Sequence, residues 1–293
     1  MICNVYYQML KIDHSAGFFS CCTIRLEKIL GYFNENLMLP EKVDSSMQFL
    51  EYKPLNNEDD ITHIFFSKEK EEDKEVDIKY ETVVRMTDLN WEQQFSNFKL
   101  LNYEKLAPFT SKYFALSHHV IAIVEKMEKK YNFDYENMCI IFHRGLSKCW
   151  ETNLAPYDDY IRKAREIMDN NKKVTFLLQS DETEFFHALK PVFSNVIILD
   201  EMCHMSKHDV DKAANVELAL HPDIRVNNEL HFLSIVKIMS KAKTVITGSG
   251  NIAFWLCLLR GNADGVHQYL SPKEDIYGVK NDTYDPDKTD FWL

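Results

Sequence analysis

The feature that most constrains the fold is a regular alternation of strand-like and helix-like segments in the second half of the chain. Short apolar runs such as NMCIIFHR, KVTFLLQS and NVIILD alternate with longer segments whose apolar residues recur at helical spacing, and the pattern ends with the strand KTVITGSG and the helix NIAFWLCLLRG. Strands that alternate with helices in this way form a parallel sheet with helices on both faces. The sequence therefore predicts an α/β fold over this part of the chain.

The first half carries a weaker version of the same pattern. An opening strand-like segment, MICNVYYQMLKI, is followed by a turn and by a helical segment at 20–36, for which Ser20 is the predicted N-cap. Residues 111–133 have an apolar stripe at helical spacing, which predicts one long amphipathic helix. The first half is therefore expected to contain strand and helix segments.

The length of 293 residues suits two domains of about 100–200 residues each. We divide the chain into an N-terminal domain at 1–125, a C-terminal domain at 126–275 and a tail at 276–293. The tail is expected to pack on the first domain. The charge-dense stretch 55–81 surrounds one apolar island, ITHIFF, and is interpreted as an exposed insertion with a short strand inside it.

Composition limits the classes of function. Hydrophobic residues make up 45% of the chain, enough for a substantial core, and the net charge of −11 disfavours sequence-independent binding to nucleic acid, which needs a basic face. The seven cysteines are odd in number, which favours free thiols in a reducing compartment. The sequence shows neither a signal-peptide pattern nor an apolar stretch of about 18 residues. We therefore expect a soluble, cytoplasmic protein without a transmembrane segment.

Polar residues follow four of the predicted strands. The carboxyl ends of parallel strands meet at one edge of a sheet, and nucleotides and other ligands bind at that edge in open α/β sheets. The sequence therefore predicts a nucleotide pocket there. The residues at the four strand ends are His143 and Arg144, then Ser180, Asp181 and Glu182, then Asp200 and Glu201, then Gly248, Ser249 and Asn251.

Arg144 and the segment TGSGN at 247–251 are the candidates for binding phosphate. The planar guanidinium of Arg144 can pair with two phosphate oxygens at once, and Gly145 after it permits a sharp turn. The alternative for Arg144 is an ordinary surface ion pair. TGSGN opens a predicted helix, whose free N–H groups and dipole favour an anion. The alternative here is a simple N-cap by Ser249 or Asn251.

The segment IIFHRGLSKCWE at 140–151 resembles the HxRGTDK…E segment of fucosyltransferase-like enzymes, the group that includes α1,6-fucosyltransferases, nodulation fucosyltransferases and protein O-fucosyltransferases. The segments that follow agree with that group in order: PYDDYIRKA, VTFLLQSDETEFFHAL and FLSIVKIMSKAKTVITGSGNIAFWLCLL. In the first half, DHSAGFFSCCTIRLEKIL is similar to the glycine-containing first strand–helix loop of such enzymes. The resemblance covers roughly residues 112–265.

This resemblance implies a GT-B-like fold of two Rossmann-like domains that face a central cleft, with the donor site in the C-terminal half. It also implies inverting transfer of a sugar from a nucleotide diphosphate sugar to a glycan hydroxyl, without a metal ion or other cofactor. Arg144 would bind the β-phosphate of the donor, and Asp181 with Glu182 would flank its base or ribose. The full donor-binding set carried by the motifs is His143, Arg144, Lys148, Ser180, Asp181, Glu182, Gly248, Ser249 and Asn251.

One position departs from the pattern of the family. The Asp that precedes Lys in the family motif is Ser147 here, whereas Lys148 is kept. The loss of this carboxylate weakens the expectation of a guanosine–fucose donor. A different nucleotide sugar, such as UDP-xylose, therefore stays open.

Catalysis requires a base for the acceptor hydroxyl and positive charge on the departing diphosphate. Glu151 is the closest match to the acidic residue that follows the family motif, so we predict that it is the base, with Arg144 as the positive charge. Four residues of the first loop are expected to face the cleft, Asp13 and His14 as alternative bases and Gly17 and Phe18 on the acceptor side.

Two other readings of function stay open. A nucleotide-sugar hydrolase or phosphorylase would use the same phosphate-binding edge without a glycan acceptor. A non-catalytic relative would bind a nucleotide sugar or glycan without turnover, which the departure at Ser147 makes conceivable. Two metal-binding patterns are discounted: DPD at 285–287 lies far from any strand end, and the group Cys203, His204 and His208 lacks a second ligand pair.

Overall fold

Two parallel sheets organise the computed structural model, which describes residues 9–54, 57–67, 91–212, 222–270 and 291–293. The first sheet has two strands and the second has five. All neighbouring strands within these sheets pair in parallel. The predicted α/β class is confirmed.

In the first half, β1 (Met9–Asp13), α1 (Phe18–Asn36) and β2 (Lys42–Met47) form a β-α-β unit. The N-cap position of α1 is Gly17, three residues before the predicted N-cap Ser20. The reason is a tertiary contact, since the backbone N–H of Phe18 donates to the Tyr52 hydroxyl at 2.8 Å. A partner from another element thus replaces a side-chain cap.

Two other predicted elements are wrong. The island ITHIFF forms a single helical turn, α2 (Thr62–Phe65), and not a strand. The long helix predicted at 111–133 is two helices, α3 (Tyr103–Tyr113) and α4 (His118–Tyr131). Leu116 forms an isolated antiparallel bridge to Phe66, and Ser117 caps α4. The extended backbone at this bridge is what interrupts the helical pattern.

The second half has the strand order β5-β4-β3-β6-β7. Its central strand β3 is buried along its whole length. Successive residues of β3 enter opposite core clusters, Ile140 and Phe142 on one face and Cys139 and Ile141 on the other, as expected for a sheet covered on both sides. The strands are β3 (Met138–His143), β4 (Thr175–Ser180), β5 (Val196–Ile198), β6 (Thr244–Thr247) and β7 (Val266–Gln268).

Four helices accompany this sheet: α5 (Tyr157–Asn170), α6 (Thr183–Leu189), α7 (Pro222–Lys241) and α8 (Asn251–Arg260). Residues of α5 and α6 enter one core cluster, and residues of α7 and α8 enter the other. The second cluster also contains residues of α1, α3 and α4. The two halves therefore share a continuous apolar core on that side of the sheet.

The strand order places a topological switch point between β3 and β6. From β3 the chain proceeds to β4 and β5 on one side, and only then to β6 and β7 on the other. In open parallel sheets a ligand-binding crevice forms where the strand order reverses in this way. The segments after β3 and after β6 are therefore the ones that border the crevice.

The predicted division at residue 125/126 falls within α4, which packs on α7 of the second half. The tail was expected to pack on the first domain, but its described residues, 291–293, pack on the second half instead. The Trp292 ring lies 5.3 Å from that of Tyr160 and 5.4 Å from that of Tyr269, and the Leu270 N–H donates to the Phe291 carbonyl. Residues 291–293 thus extend the edge of the second sheet.

Candidate active site

A cavity of about 400 Å³ lies between the two halves at the switch point. The first half contributes residues 16–20 and Tyr52, at the start of α1 and in a neighbouring turn. The second half contributes Arg144 and the 3₁₀ turn after β3, together with residues 249–253 at the start of α8. Both segments that follow strands at the switch point therefore reach this cavity, as the topology requires.

Arg144 is held in the cavity wall by an ion pair. Its Nε lies 3.0 Å from Asp181 Oδ2, and the Gly145 N–H donates to Asp181 Oδ1 at 2.8 Å. Burial raises the pKa of Asp181 above its ordinary value, although the Arg144 guanidinium and the Gly145 N–H act in the opposite direction. Asp181 is not among the residues that line the cavity. These contacts suit a role for Asp181 in orienting Arg144, and its expected place beside the base or ribose stays a prediction.

Lys148 is the second cation of the cavity. Its ammonium group lies 2.5 Å from Glu151 Oε2, donates to Gln94 Oε1 at 2.8 Å, and lies 4.9 Å from the centre of the Phe95 ring. Three neighbours thus fix a side chain that would otherwise have many rotamers. Glu151 lines the cavity and its side chain is 34% exposed. The geometry brings Arg144, Lys148 and Glu151 together, and the role of Glu151 as base stays a prediction.

Residues at the start of α8 line the cavity. Gly250 occupies the N-cap position with φ of 134°, a conformation that favours glycine, and no side chain caps the helix. The first N–H groups of a helix have no acceptor within it, and the helix dipole makes that end positive. Ser249 Oγ donates to the Tyr269 carbonyl and Asn251 Oδ1 lies 2.8 Å from Thr23 Oγ1. The simple N-cap by Ser249 or Asn251 is therefore wrong.

A second helix start borders the same cavity. Gly17, at the N-cap of α1, and Phe18 both line it, and their place on the acceptor side stays a prediction. The alternative bases Asp13, at the end of β1, and His14, which follows it, do not line the cavity. Burial lowers the pKa of His14, which favours its neutral form. Two helix N-termini, from α1 and α8, thus add positive potential to the two cationic side chains.

Three other residues of the predicted donor set, His143, Ser180 and Glu182, form a buried network behind the cavity wall. His143 Nε2 lies 3.2 Å from Glu182 Oε2, which also accepts from the Tyr157 hydroxyl, and Ser180 Oγ accepts from the Glu182 N–H. Burial alone would raise the pKa of Glu182, but the His143 and Tyr157 hydrogen bonds outweigh it and lower that pKa. These residues are engaged within the protein, and their expected contact with the donor stays a prediction.

The same network explains Gly145. A Cβ at this position would lie 1.8 Å from Glu182 Oε1. Glycine is therefore required by the space that the Glu182 carboxylate occupies, and not by the sharp turn that the sequence suggested. Gly248 lines a smaller neighbouring cavity together with Arg144 and Tyr160.

The carboxylates at the end of β5 are also outside the site. Lys130 of α4 pairs with both Asp200 and Glu201, at 3.1 Å and 2.8 Å, and the Tyr131 hydroxyl donates to Glu201. Strand β5 is the edge strand farthest from the switch point. Its terminal carboxylates consequently join the sheet to α4 and do not converge with Arg144.

Sequence reasoning missed several residues that line the cavity. Glu229 and Phe232 come from α7, Tyr52 and Phe19 from the first half, and Gln94 from a 3₁₀ turn (Trp91–Phe95). Gln94 connects the turn after β3 with the start of α8. Its side-chain oxygen accepts a hydrogen bond from Lys148, and its backbone carbonyl accepts one from the Gly250 N–H at 2.8 Å. The usable signal was Glu229, an acidic residue three positions before the apolar segment FLSIVKIM.

The two metal-binding patterns that the sequence analysis discounted are the group around His204 and the DPD segment at 285–287. His204 Nδ1 lies 2.8 Å from Thr183 Oγ1, and its ring lies 4.9 Å from that of Phe186. Among the described residues no three His, Cys, Asp or Glu side chains form a group that could hold a metal ion. The DPD segment at 285–287 lies outside the described residues. The six cysteines within the described ranges are free thiols.

The architecture and the site together define an α/β protein of the GT-B-like class, with a central cleft between two halves. Comparison of the sequence with models of protein families, and with curated proteins, finds no match. A solved structure of NodZ alpha-1,6-fucosyltransferase soaked with GDP-fucose has a similar fold, with a TM-score of 0.50 over 89% of this chain and 94% of that one, at 10% sequence identity. This similarity confirms the GT-B-like fold and carries no argument about individual residues.

Two further NodZ structures are similar at lower scores. Fucosyltransferase NodZ from Bradyrhizobium has a TM-score of 0.49 over 94% of this chain and 99% of that one, again at 10% identity. NodZ alpha-1,6-fucosyltransferase co-crystallized with GDP has a TM-score of 0.38 at 10% identity, and the match spans 58% of this chain and 49%, about half, of that one. No helix within the described ranges is both long enough and apolar enough to cross a membrane.

Proposed function

We propose that this chain is a glycosyltransferase that moves a sugar from a nucleotide diphosphate sugar to a hydroxyl group of a glycan. The observation that carries the proposal is the convergence of Arg144, Lys148 and two helix N-termini on one cavity at the switch point of a GT-B-like fold. Backbone N–H groups at a helix start and an arginine fork both suit a diphosphate. The similar NodZ structure with a TM-score of 0.50 was soaked with GDP-fucose, which supports a nucleotide-sugar donor.

The proposed reaction inverts the configuration at the anomeric carbon. The acceptor oxygen attacks that carbon, its proton passes to a base, and the bond to the diphosphate breaks with its electron pair leaving on the phosphate oxygen. Arg144 and Lys148 would stabilise the negative charge that develops there, so no divalent metal is required. Glu151, which lines the cavity beside Lys148, is the proposed base.

Donor binding is the first test. A ligand at about 100 times its dissociation constant adds about 2.7 kcal/mol to the free energy of unfolding, which a thermal-shift assay detects readily. We expect one member of a panel containing GDP-fucose and UDP-xylose to raise the melting temperature, and Arg144→Ala to abolish that rise. The matched control is Arg162→Ala on α5, which removes an exposed arginine paired with Asp159 and Glu166 and should leave the rise intact.

Product analysis then separates the three readings of function. A glycosylated acceptor supports transfer, whereas free sugar or sugar phosphate supports a hydrolase or phosphorylase. Binding of the donor with neither product supports a non-catalytic relative. Turnover that survives treatment with EDTA supports the metal-independent mechanism, and loss of turnover that Mg²⁺ or Mn²⁺ restores contradicts it. A rise in melting temperature that persists in Arg144→Ala removes this residue from the donor site.

A further inference from the structure

The Lys148 ammonium group lies beside the start of a helix, where a cation is not stable on its own. A Cβ added to Gly250, at the N-cap position of α8, would lie 3.4 Å from Lys148 Nζ. The helix dipole makes this end of α8 positive, so it repels an ammonium group. Lys148 is also buried, and burial of a charge without partners is costly. The ammonium group therefore needs acceptors that hold it at this place.

Gln94 supplies such an acceptor and also fixes the start of the helix. Its side chain accepts from Lys148 Nζ at 2.8 Å. Because a lysine ammonium group only donates hydrogen bonds, the atom that faces it is the amide oxygen and not the amide nitrogen. The backbone carbonyl of Gln94 accepts from the Gly250 N–H, also at 2.8 Å. One buried residue thus sets the position of the cation relative to the start of α8.

The segment that follows Gln94 is itself attached to the second half. The buried side chain of Gln268, at the end of β7, accepts from the Phe98 N–H at 3.0 Å and donates to the Ser96 carbonyl at 2.9 Å. The same amide donates to Ser249 Oγ, which lies in the cavity lining, at 3.0 Å. Movement of the segment that carries Gln94 would break these bonds. Gln94 therefore holds Lys148 from a fixed base.

Gln94 differs in charge from Glu151, which also contacts Lys148. Glu151 Oε2 lies 2.5 Å from the ammonium group and offsets its charge, whereas the amide of Gln94 is neutral. A neutral acceptor orients the ammonium group and leaves its charge available to an anion. Charge that is already in place where negative charge develops stabilises a transition state without reorganisation of the site.

We infer that Gln94 is a positioning residue, which holds the Lys148 ammonium group and the start of α8 in place for the β-phosphate of the donor. This inference rests on the proposed function, since it concerns the same diphosphate site. Gln94 acts through Lys148 and Gly250 and takes no part in proton transfer. Loss of its side-chain oxygen should therefore weaken the binding of the β-phosphate more than that of the rest of the nucleotide.

Isothermal titration calorimetry tests this with two pairs of probes, GDP with GMP and UDP with UMP. Within a pair, the dissociation constant of the monophosphate divided by that of the diphosphate measures what the β-phosphate contributes. Gln94→Met keeps the length of the side chain and the backbone carbonyl, but its sulfur is only a weak acceptor. We expect this ratio to fall about tenfold in Gln94→Met, as for a lost hydrogen bond to a charged group, with monophosphate binding unchanged within about threefold.

Two further variants separate positioning from a general effect on the fold. Gln94→Glu keeps the shape and the acceptor but adds a negative charge, so it should weaken diphosphate binding about tenfold or more while it unfolds at no lower a temperature than Gln94→Met. A merely structural role would instead make affinity follow stability. The control is Gln93→Met in the same 3₁₀ turn, because the Gln93 side chain accepts from Ser96 Oγ and does not line the cavity. It should bind both nucleotides like the wild type.

The outcomes distinguish this inference from the proposed function. An unchanged ratio in Gln94→Met, or equal losses for monophosphate and diphosphate, overturns the inference, while the donor site stands if Arg144→Ala still abolishes binding. A ratio that falls as expected without any transfer of sugar supports the positioning role and contradicts the proposed transfer. If neither GDP nor UDP binds the wild type, both are overturned. Should Gln94→Met not fold, Gln94→Glu decides, and diphosphate affinity equal to that of the wild type overturns the inference.

Discussion

Gly145→Ala is the substitution for which the structure predicts the most specific loss of stability. The added Cβ would lie 1.8 Å from Glu182 Oε1 and 1.9 Å from Glu182 Cδ. Glu182 cannot give way cheaply, because it is 2% exposed and its carboxylate contacts His143, the Tyr157 hydroxyl and, at 3.3 Å, the Lys207 ammonium. The alanine can be accommodated only if this carboxylate leaves its place.

The magnitude follows from what that movement breaks. A hydrogen bond to a charged group contributes about 1.5–3 kcal/mol, and forcing extra atoms into a close-packed interior costs about 1–3 kcal/mol. If Glu182 loses one of its hydrogen bonds, the free energy of unfolding should fall by about 2.5–6 kcal/mol. Arg144 precedes Gly145 directly, so the rise in melting temperature on donor binding should fall as well.

Urea unfolding followed by circular dichroism measures this loss. The matched control is Gly31→Ala within α1, where an added Cβ meets no atom within 4 Å. Replacing glycine by alanine in a helix stabilises by about 0.5–1 kcal/mol, so the same substitution should have the opposite sign there. In a Glu182→Ala background, Gly145→Ala should change stability by less than about 1 kcal/mol, because the obstructing carboxylate is gone.

A loss below about 1 kcal/mol for Gly145→Ala in the otherwise unchanged protein would refute this reasoning. So would a double variant that is destabilised by the sum of the two single changes. Either result would mean that the Glu182 carboxylate does not occupy the space next to Gly145.

Three further predictions concern the same wall of the cavity. Glu151→Gln should lower turnover well beyond threefold, and a change within about threefold, worth under 1 kcal/mol, removes Glu151 as the base. Gly250→Ala should destabilise the protein by about 1–3 kcal/mol, because φ at this position is 134° and the added Cβ would lie 2.8 Å from Lys148 Cε. Displacement of Lys148 should also weaken donor binding, so an unchanged donor affinity would contradict this prediction. In the folded protein the pKa of Glu182 is lower than its ordinary value of 4.5. The ionised carboxylate therefore stabilises the fold above pH 4.5, and this stabilisation is lost as the pH falls through the lowered pKa. Glu182→Gln should therefore flatten the decline in urea stability between about pH 5 and 3, and an unchanged decline would argue against the His143–Glu182 contact.

The second sheet was predictable because its strands are apolar, separated by helical periodicity and followed by polar residues. Strand β2 was not, because its interior is polar: Ser45 is fully buried and accepts from Arg25, which is itself buried in α1. Strand β7 is only three residues long and follows a helix directly. A polar interior and a short edge strand both lack the apolar run on which sequence reasoning relies.

The site was predictable only in part, for a topological reason. Arg144, Lys148, Glu151, Ser249 and Asn251 line the cavity because they follow β3 and β6. The polar residues after β4 and β5 lie at the same edge but do not border the switch point. The sequence shows that strands end in polar residues, whereas the order of the strands decides which ends are neighbours.

The net charge of the cavity lining explains why the two helix N-termini matter as much as Arg144 for binding an anion. Its lining carries two cations, Arg144 and Lys148, and two carboxylates, Glu151 and Glu229, so the side chains alone give no net attraction for a diphosphate. Each helix N-terminus adds roughly half a positive charge, and both helix starts line this cavity. The net attraction of the cavity for an anion therefore comes from backbone geometry, which the pattern of charged residues in the sequence does not show.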